Sequence, residues 1–163
     1  GGGFPLAALG ASKNIMAHFD KDMVGADKWL MQLGTLSGNP IASVARLKTM
    51  EVLRRPGQYD KLRNIGAELQ MMQAQALSAR GIAHQICGDP TLFDSWFTDQ
   101  PATNYRTARH KDPVLNASYN DVLRANGVFK APGKLYPSLA VTEADLDQTR
   151  ATVQKAAEAV AAL

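Results

Sequence analysis

Residues 34–40 read Gly-Thr-Leu-Ser-Gly-Asn-Pro, and a long apolar run, Ile41 to Leu53, follows at once. Asn39 is a good helix N-cap, and Pro40 is the residue best tolerated at the first helical position. The pair therefore predicts a helix from about Pro40 to Leu53, with Ile41, Val44, Ala45, Lys48 and Val52 on one face. Arg54-Arg55-Pro56-Gly57 ends it. Ahead of the cap, the glycines let the chain turn so that N–H groups converge, while Thr35 and Ser37 add hydroxyl donors. A helix N-terminus behind such a turn suits an anion. The stretch is not a Walker phosphate loop: Gly34 and Gly38 have three residues between them and no lysine follows. On these residues alone, a plain capped turn and an anion cradle both remain open.

Outward from this turn, the chain reads as two unlike parts. Upstream, GGGFPLAALGAS suggests a Gly-rich turn and a short buried strand, Leu6 to Leu9. A short helix capped by Ser12 then runs to Phe19, and 20–33 form a mobile loop. Downstream, Tyr59, Leu62, Ile65, Leu69, Met72, Ala76 and Leu77 recur at steps of three and four residues, an amphipathic helix that stops at Gly81. Ile82–Cys87 and Leu92–Thr98 read as a hairpin about Gly88-Asp89-Pro90, and 99–111 as loop. Asp112-Pro113 starts another helix, with Leu115, Tyr119 and Val122 inward and Asn126-Gly127 closing it. Val128–Lys130 and Ser138–Val141 read as short strands. Thr142-Glu-Ala-Asp145 is a capping box opening a last helix, with Leu146, Val153, Ala157 and Val160 buried. The order α-β-β-α-β-α after residue 57 predicts an antiparallel-rich sheet with helices on one face, an α+β domain over 56–163. Residues 1–55 read as part of a separate, parallel α/β unit.

Composition is that of a soluble globular protein, with 45% apolar and 20% charged residues in 163. No apolar run approaches the ~18 residues of a membrane span, so no membrane association is expected. The single cysteine, Cys87, excludes an internal disulfide, reads as a buried inert thiol and fits a cytoplasmic compartment. Net charge is +3. The densest basic stretch, Arg46 to Arg63, has no interleaved aromatics and reads as a solvated face, so no nucleic-acid partner is expected. His18, His84 and His110 lack metal-ligand spacing, and no metal site is expected. Asp94 and Asp99 read as solvent-face and strand-end carboxylates. Trp29 and Trp96 read as packing residues, with Trp29 in the loop ahead of Thr35.

GGGFPLAALG, GTLSGNPIASVARLKTMEVL, GIAHQICG and SLAVTEADLDQT occur in that order across essentially the whole chain. Together they resemble the class III pyridoxal-phosphate (PLP) aminotransferases, a family that includes glutamate-1-semialdehyde aminomutase and the ω- and β-amino-acid transaminases. The resemblance implies the C-terminal portion of a fold-type-I PLP-dependent transferase. Residues 1–55 would end the PLP-binding large domain, and 56–163 would form the small C-terminal domain. In this family a Lys-x-x tripeptide precedes Gly-Gly-Gly-x-Pro, so the Schiff-base lysine is expected just before Gly1 and no catalytic residue within the chain. The aspartate that pairs with the pyridine nitrogen is expected further upstream.

The same resemblance gives Thr35 a role: its hydroxyl and N–H bind the PLP phosphate of the neighbouring subunit, and Gly34 allows the close approach. It implies a homodimer with a shared active site, acting on a small-molecule amino donor and acceptor. Two departures favour a transaminase over an aminomutase. Gly133-Lys-Leu-Tyr-Pro137 replaces the family's S-Q-F-E-A-G-F, losing its Glu, and Val141 stands where S-L-A-H-T has His. TLFDSWFTD, 91–99, also looks like the transaminase branch. Ala7 and Ala11 replace family glycines conservatively. The alternatives are glutamate-1-semialdehyde 2,1-aminomutase and, outside catalysis, a free-standing α+β binding module with acidic partners at 46–63.

Overall fold

Capping side chains set most α-helix starts in the computed structural model, which describes residues 3–163. The chain divides into two compact units, Gly1–Pro56 and Gly57–Leu163. The first unit holds α1 (Lys13–Met16), a single 3-10 turn (Ala17–Phe19), α2 (Lys21–Val24) and α3 (Pro40–Leu53). Asp20 caps α2 by accepting from the Asp22 N–H at 3.0 Å. Asn39 caps α3 as its sequence predicts, with Oδ1 accepting from the Ala42 N–H at 3.0 Å.

Two expectations fail here. Leu6–Leu9 is irregular rather than a strand. A strand needs a neighbour for its N–H and C=O groups, and among the described residues nothing pairs with this one. The 20–33 segment, read as a mobile loop, contains α2 and is pinned at its neck. The Leu30 N–H donates to the His18 carbonyl at 2.7 Å. His18 Nδ1 lies 2.8 Å from the Lys28 carbonyl, and Trp29 Nε1 donates to the Phe19 carbonyl at 3.4 Å. Lys21 sits 5.8 Å from the Trp29 ring centre, within cation–π range. This unit buries little: among the described residues only Ala42 is fully enclosed, while Leu33, Ile41, Val44 and Leu47 are all more than half exposed.

The second unit has a proper core. It contains α4 (Gln58–Ala79), β1 (Gln85–Asp89), β2 (Leu92–Trp96), α5 (Tyr105–Ala108), α6 (Pro113–Ala125) and α7 (Glu143–Ala161). The three-and-four periodicity of α4 translates directly into burial of Ile65, Leu69, Met72 and Leu77. Tyr59, expected on the same face, is 48% exposed. Gly81 takes φ +67°, the left-handed conformation that ends a helix. Asp112 caps α6 through the N–H groups of Val114 and Leu115, and Thr142 and Asp145 close the capping box of α7. Leu77, Phe97, Tyr119, Leu123, Val153 and Val160 form one apolar cluster. Ile65, Leu69, Met72, Phe93 and Leu146 form a second.

The sheet is smaller than the sequence suggests. β1 and β2 pair antiparallel with Cys87 opposite Asp94; β1 is shifted along the chain from the expected Ile82–Cys87, running Gln85–Asp89, and β2 stops at Trp96, short of the expected Thr98. Val128–Lys130 and Ser138–Val141 are not strands. Instead, Leu135 forms a single bridge to Phe93, and residues 131–134 make a tight turn. Pro132 and Pro137 lack the N–H that a continuous ladder requires, which explains why pairing does not propagate. The 99–111 loop contains one helical turn, α5, capped by Asn104. Asp94, read as a solvent-face carboxylate, is buried.

Gly66 lies mid-helix on the buried face of α4, where a Cβ would stand 1.9 Å from the Pro90 carbonyl oxygen. The helix and the hairpin turn therefore meet backbone to backbone. Gly66→Ala is expected to lower unfolding free energy by about 1–3 kcal/mol through this overpacking, despite alanine's higher helix propensity; urea melts give the sign directly. At the same turn, Asp89 accepts from the Thr91 N–H and hydroxyl at 3.0 and 2.8 Å and from Arg63 at 2.7 Å. These bonds, the Thr91 N–H foremost, hold its carboxyl down at about 2, against an ordinary 3.8. A depressed carboxylate stabilises the fold above its ordinary range and loses that contribution as pH falls toward about 2. Asp89→Asn should flatten this part of the acid limb in a thermal-melt series across that interval.

Candidate functional site

Two overlapping turns build the 34–40 segment. The Ser37 N–H donates to the Gly34 carbonyl at 3.0 Å, and the Asn39 N–H to the Leu36 carbonyl at 3.2 Å. Gly38 adopts φ +71°, a conformation that disfavours side chains and swings the chain into the Asn39 cap. A Cβ at Gly34 would stand 2.7 Å from Ser37 Oγ, a contact that rotation of the serine side chain relieves. Asn39 then anchors α3, and the Ser43 hydroxyl donates to the Asn39 carbonyl at 2.9 Å.

Gly34 and Thr35 are both solvent-exposed at the outer side of this double turn. Among the described residues, neither the Thr35 hydroxyl nor its N–H takes part in a hydrogen bond. No acidic side chain lies in the first turn of α3, so nothing there offsets the positive end of the helix. The turn thus holds a free hydroxyl donor, a free amide and a favourable local field. This set fits a phosphate and leaves Thr35 no evident structural duty.

Ser37 and Gly38 line an open groove of about 330 Å³ together with Leu6, Leu9, Met16 and Phe19. That groove was not legible from sequence, because it arises where an irregular segment meets α1 and the turn. Trp29 is tied to the Phe19 carbonyl instead of standing free. His18 and His84 each place Nδ1 2.8 Å from a backbone carbonyl, of Lys28 and Ile82 respectively. Among the described residues no group of three or more His, Cys, Asp and Glu side chains is disposed to hold a metal ion. None of their helices is long and apolar enough to cross a membrane.

No protein-family model matches the chain. Glutamate-1-semialdehyde 2,1-aminomutase from Thermomicrobium roseum is 32% identical over 164 aligned residues, 99% of this chain and 37% of that protein. The fold matches an ω-transaminase from Sphaerobacter thermophilus with TM-score 0.75 and 25% identity, covering 98% of this chain and 36% of that one. Over nearly its whole length the chain is similar to class III pyridoxal-phosphate-dependent aminotransferases. A β-phenylalanine aminotransferase from Variovorax paradoxus shares the fold with TM-score 0.66 and 23% identity, over 90% of this chain and 33% of that one. The chain thus spans about a third of the length of these relatives.

The turn depends on its cap. Asn39→Ala should cost about 0.5–2 kcal/mol of local stability and raise amide exchange of Ala42, whose N–H loses its partner. Unchanged protection at Ala42 would show that the turn holds itself without the side chain.

Proposed function

We propose that this chain supplies the phosphate-contacting turn and the small terminal domain of a PLP-dependent aminotransferase. That enzyme moves an amino group between an amino acid or amine and a keto acid. Residues 1–55 complete the PLP-binding large domain, and 56–163 form the small domain that walls the substrate side. The observation that carries the reading is the turn at Gly34-Thr35, whose two free donors lie ahead of a helix N-terminus in a chain similar to transaminases over 98% of its length.

In this reading Thr35 donates its hydroxyl and N–H to the phosphate of PLP seated in the neighbouring subunit of a homodimer. Gly34, with no side chain, leaves room for the phosphate, and the positive end of α3 offsets part of its charge. PLP, when bound, supplies an electron sink for the charge that develops on the substrate carbon. The exposed Ile41, Val44 and Leu47 of α3 are the stripe expected of a helix that completes a larger layered domain. The lone cysteine accords with a cytoplasmic protein.

The 32% identity to an aminomutase favours a second reading, glutamate-1-semialdehyde 2,1-aminomutase. Against it stand the missing Glu in 133–137 and Val141 in place of His. Turnover of glutamate-1-semialdehyde, set against turnover of an amine with pyruvate, separates the two.

Thr35→Ala in the dimeric holoenzyme should weaken PLP binding by about 10-fold or more, since a hydrogen bond to a charged group contributes ~1.5–3 kcal/mol. Thr35→Ser should restore most of it. Equilibrium dialysis followed by PLP absorbance reads the affinity directly, and an unchanged value for Thr35→Ala rejects the assignment.

A further inference from the structure

Lys130 and Asp94 form an ion pair in which each side chain is only 4% exposed. Every other ion pair among the described residues has both side chains at least a third exposed. Lys130 Nζ donates to Asp94 Oδ1 at 2.8 Å and to the Ala131 carbonyl at 3.1 Å. Asp94 Oδ2 is buried and has no hydrogen-bond partner among the described residues. The pair joins β2 to the strap between α6 and α7, residues 128–136, across 36 positions of sequence.

That strap is held at two further places. Asn116 and Asn120 of α6 each donate to the Pro132 carbonyl at 3.4 Å. Leu135 exchanges two backbone hydrogen bonds with Phe93, at 3.3 and 2.7 Å. On its outer side the strap presents Phe129 at 87% exposure and Tyr136 at 59%, with Lys134 Nζ 5.9 Å from the Tyr136 ring centre.

A buried pair of this kind is a poor source of stability. Removing two charges from water costs several kcal/mol per ion, and apolar replacements of similar volume are often neutral or better. The half-satisfied Asp94 carboxylate deepens that cost. Burial outweighs the pull of Lys130 and raises the Asp94 carboxyl above its ordinary range, in keeping with a net penalty on the charged form. What an ion pair provides and an apolar contact does not is a unique position. A single bridge at Leu135 leaves the register of a strap only weakly specified, and neither Pro132 nor Pro137 can donate a backbone bond to reinforce it.

We propose that the Asp94–Lys130 pair is a positional clasp. It sets where the 128–136 strap lies against β2, and so where Phe129 and Tyr136 are presented, and it does this at a net cost to stability.

The test is the double variant D94L/K130M in the full chain, read by urea unfolding and by amide exchange at Leu135. Stability equal to or above wild type is expected, together with exchange at Leu135 faster by about tenfold while the α7 core amides keep their protection. D94N, which keeps the shape and removes the carboxylate charge, should likewise speed Leu135 exchange, but it leaves the Lys130 ammonium buried without a counter-charge and should be less stable than wild type. K130M alone leaves a lone buried carboxylate and should be less stable than wild type. Wild-type protection at Leu135 in both D94L/K130M and D94N overturns the proposal. So does a double variant that is unfolded or as destabilised as K130M, because the pair would then be a source of stability.

Discussion

Phe97 and Tyr119 meet edge to face, with ring centres 5.4 Å apart, in the main cluster of the second unit. Side chains from α4, α6 and α7 close around them. The Asp112 N–H donates to the Phe97 carbonyl at 2.8 Å, so the residue that caps α6 is itself fixed by the aromatic pair. Below the rings, Gln73 Oε1 accepts from the Ser95 hydroxyl at 2.5 Å and lies 3.5 Å from the Tyr119 hydroxyl. A buried amide on α4 thus ties together a strand and a helix that have no backbone hydrogen bonds in common. Burial of the Tyr119 ring raises its phenol well above its ordinary range, so it remains a neutral donor in this network.

The contrast between the units follows from where apolar side chains find partners. In the second unit, helices face one another and the hairpin, and their apolar side chains close into two clusters. In the first, α3 presents Ile41, Val44 and Leu47 to solvent, and the short helices enclose little. A helix of this kind is stabilised chiefly by tertiary packing of its apolar face. Its isolated stability therefore rests on local devices, the Asn39 cap and Pro40 above all. Those devices are also what shapes the turn at Thr35, and this links local backbone chemistry to the proposed phosphate contact.

Polar groups in the second unit divide into two kinds. Gln73, Ser95 and Tyr119 satisfy one another and stiffen the core. Asp94 and Lys130 satisfy one another only in part, since one carboxylate oxygen is left without a partner among the described residues. Both kinds specify geometry, but the first does so within the core and the second at its margin, where a strap with a single backbone bridge would otherwise be loosely located.

The elements whose cause is local were legible in the sequence. Asn39-Pro40, Asp112-Pro113 and Thr142 with Asp145 each satisfy helix-end N–H groups with atoms two or three residues away, so the letters alone locate those starts. Periodicity likewise marked the inward face of α4, and the ordered family segments pointed to the aminotransferase relationship. The Gly34-Thr35 turn was legible as a possible anion cradle, and the structure added that its donors are unused. What only the tertiary structure decided is what lies opposite each residue. Leu6–Leu9 and the 128–141 segments carry strand-like letters but find no continuous ladder. Gly66 sits mid-helix because the Pro90 carbonyl leaves no room for a side chain. Asp94 reads as a surface carboxylate in an alternating strand, yet the strap that carries Lys130 covers it. Each of these outcomes is set by atoms distant in sequence, and burial and pairing belong to both partners at once.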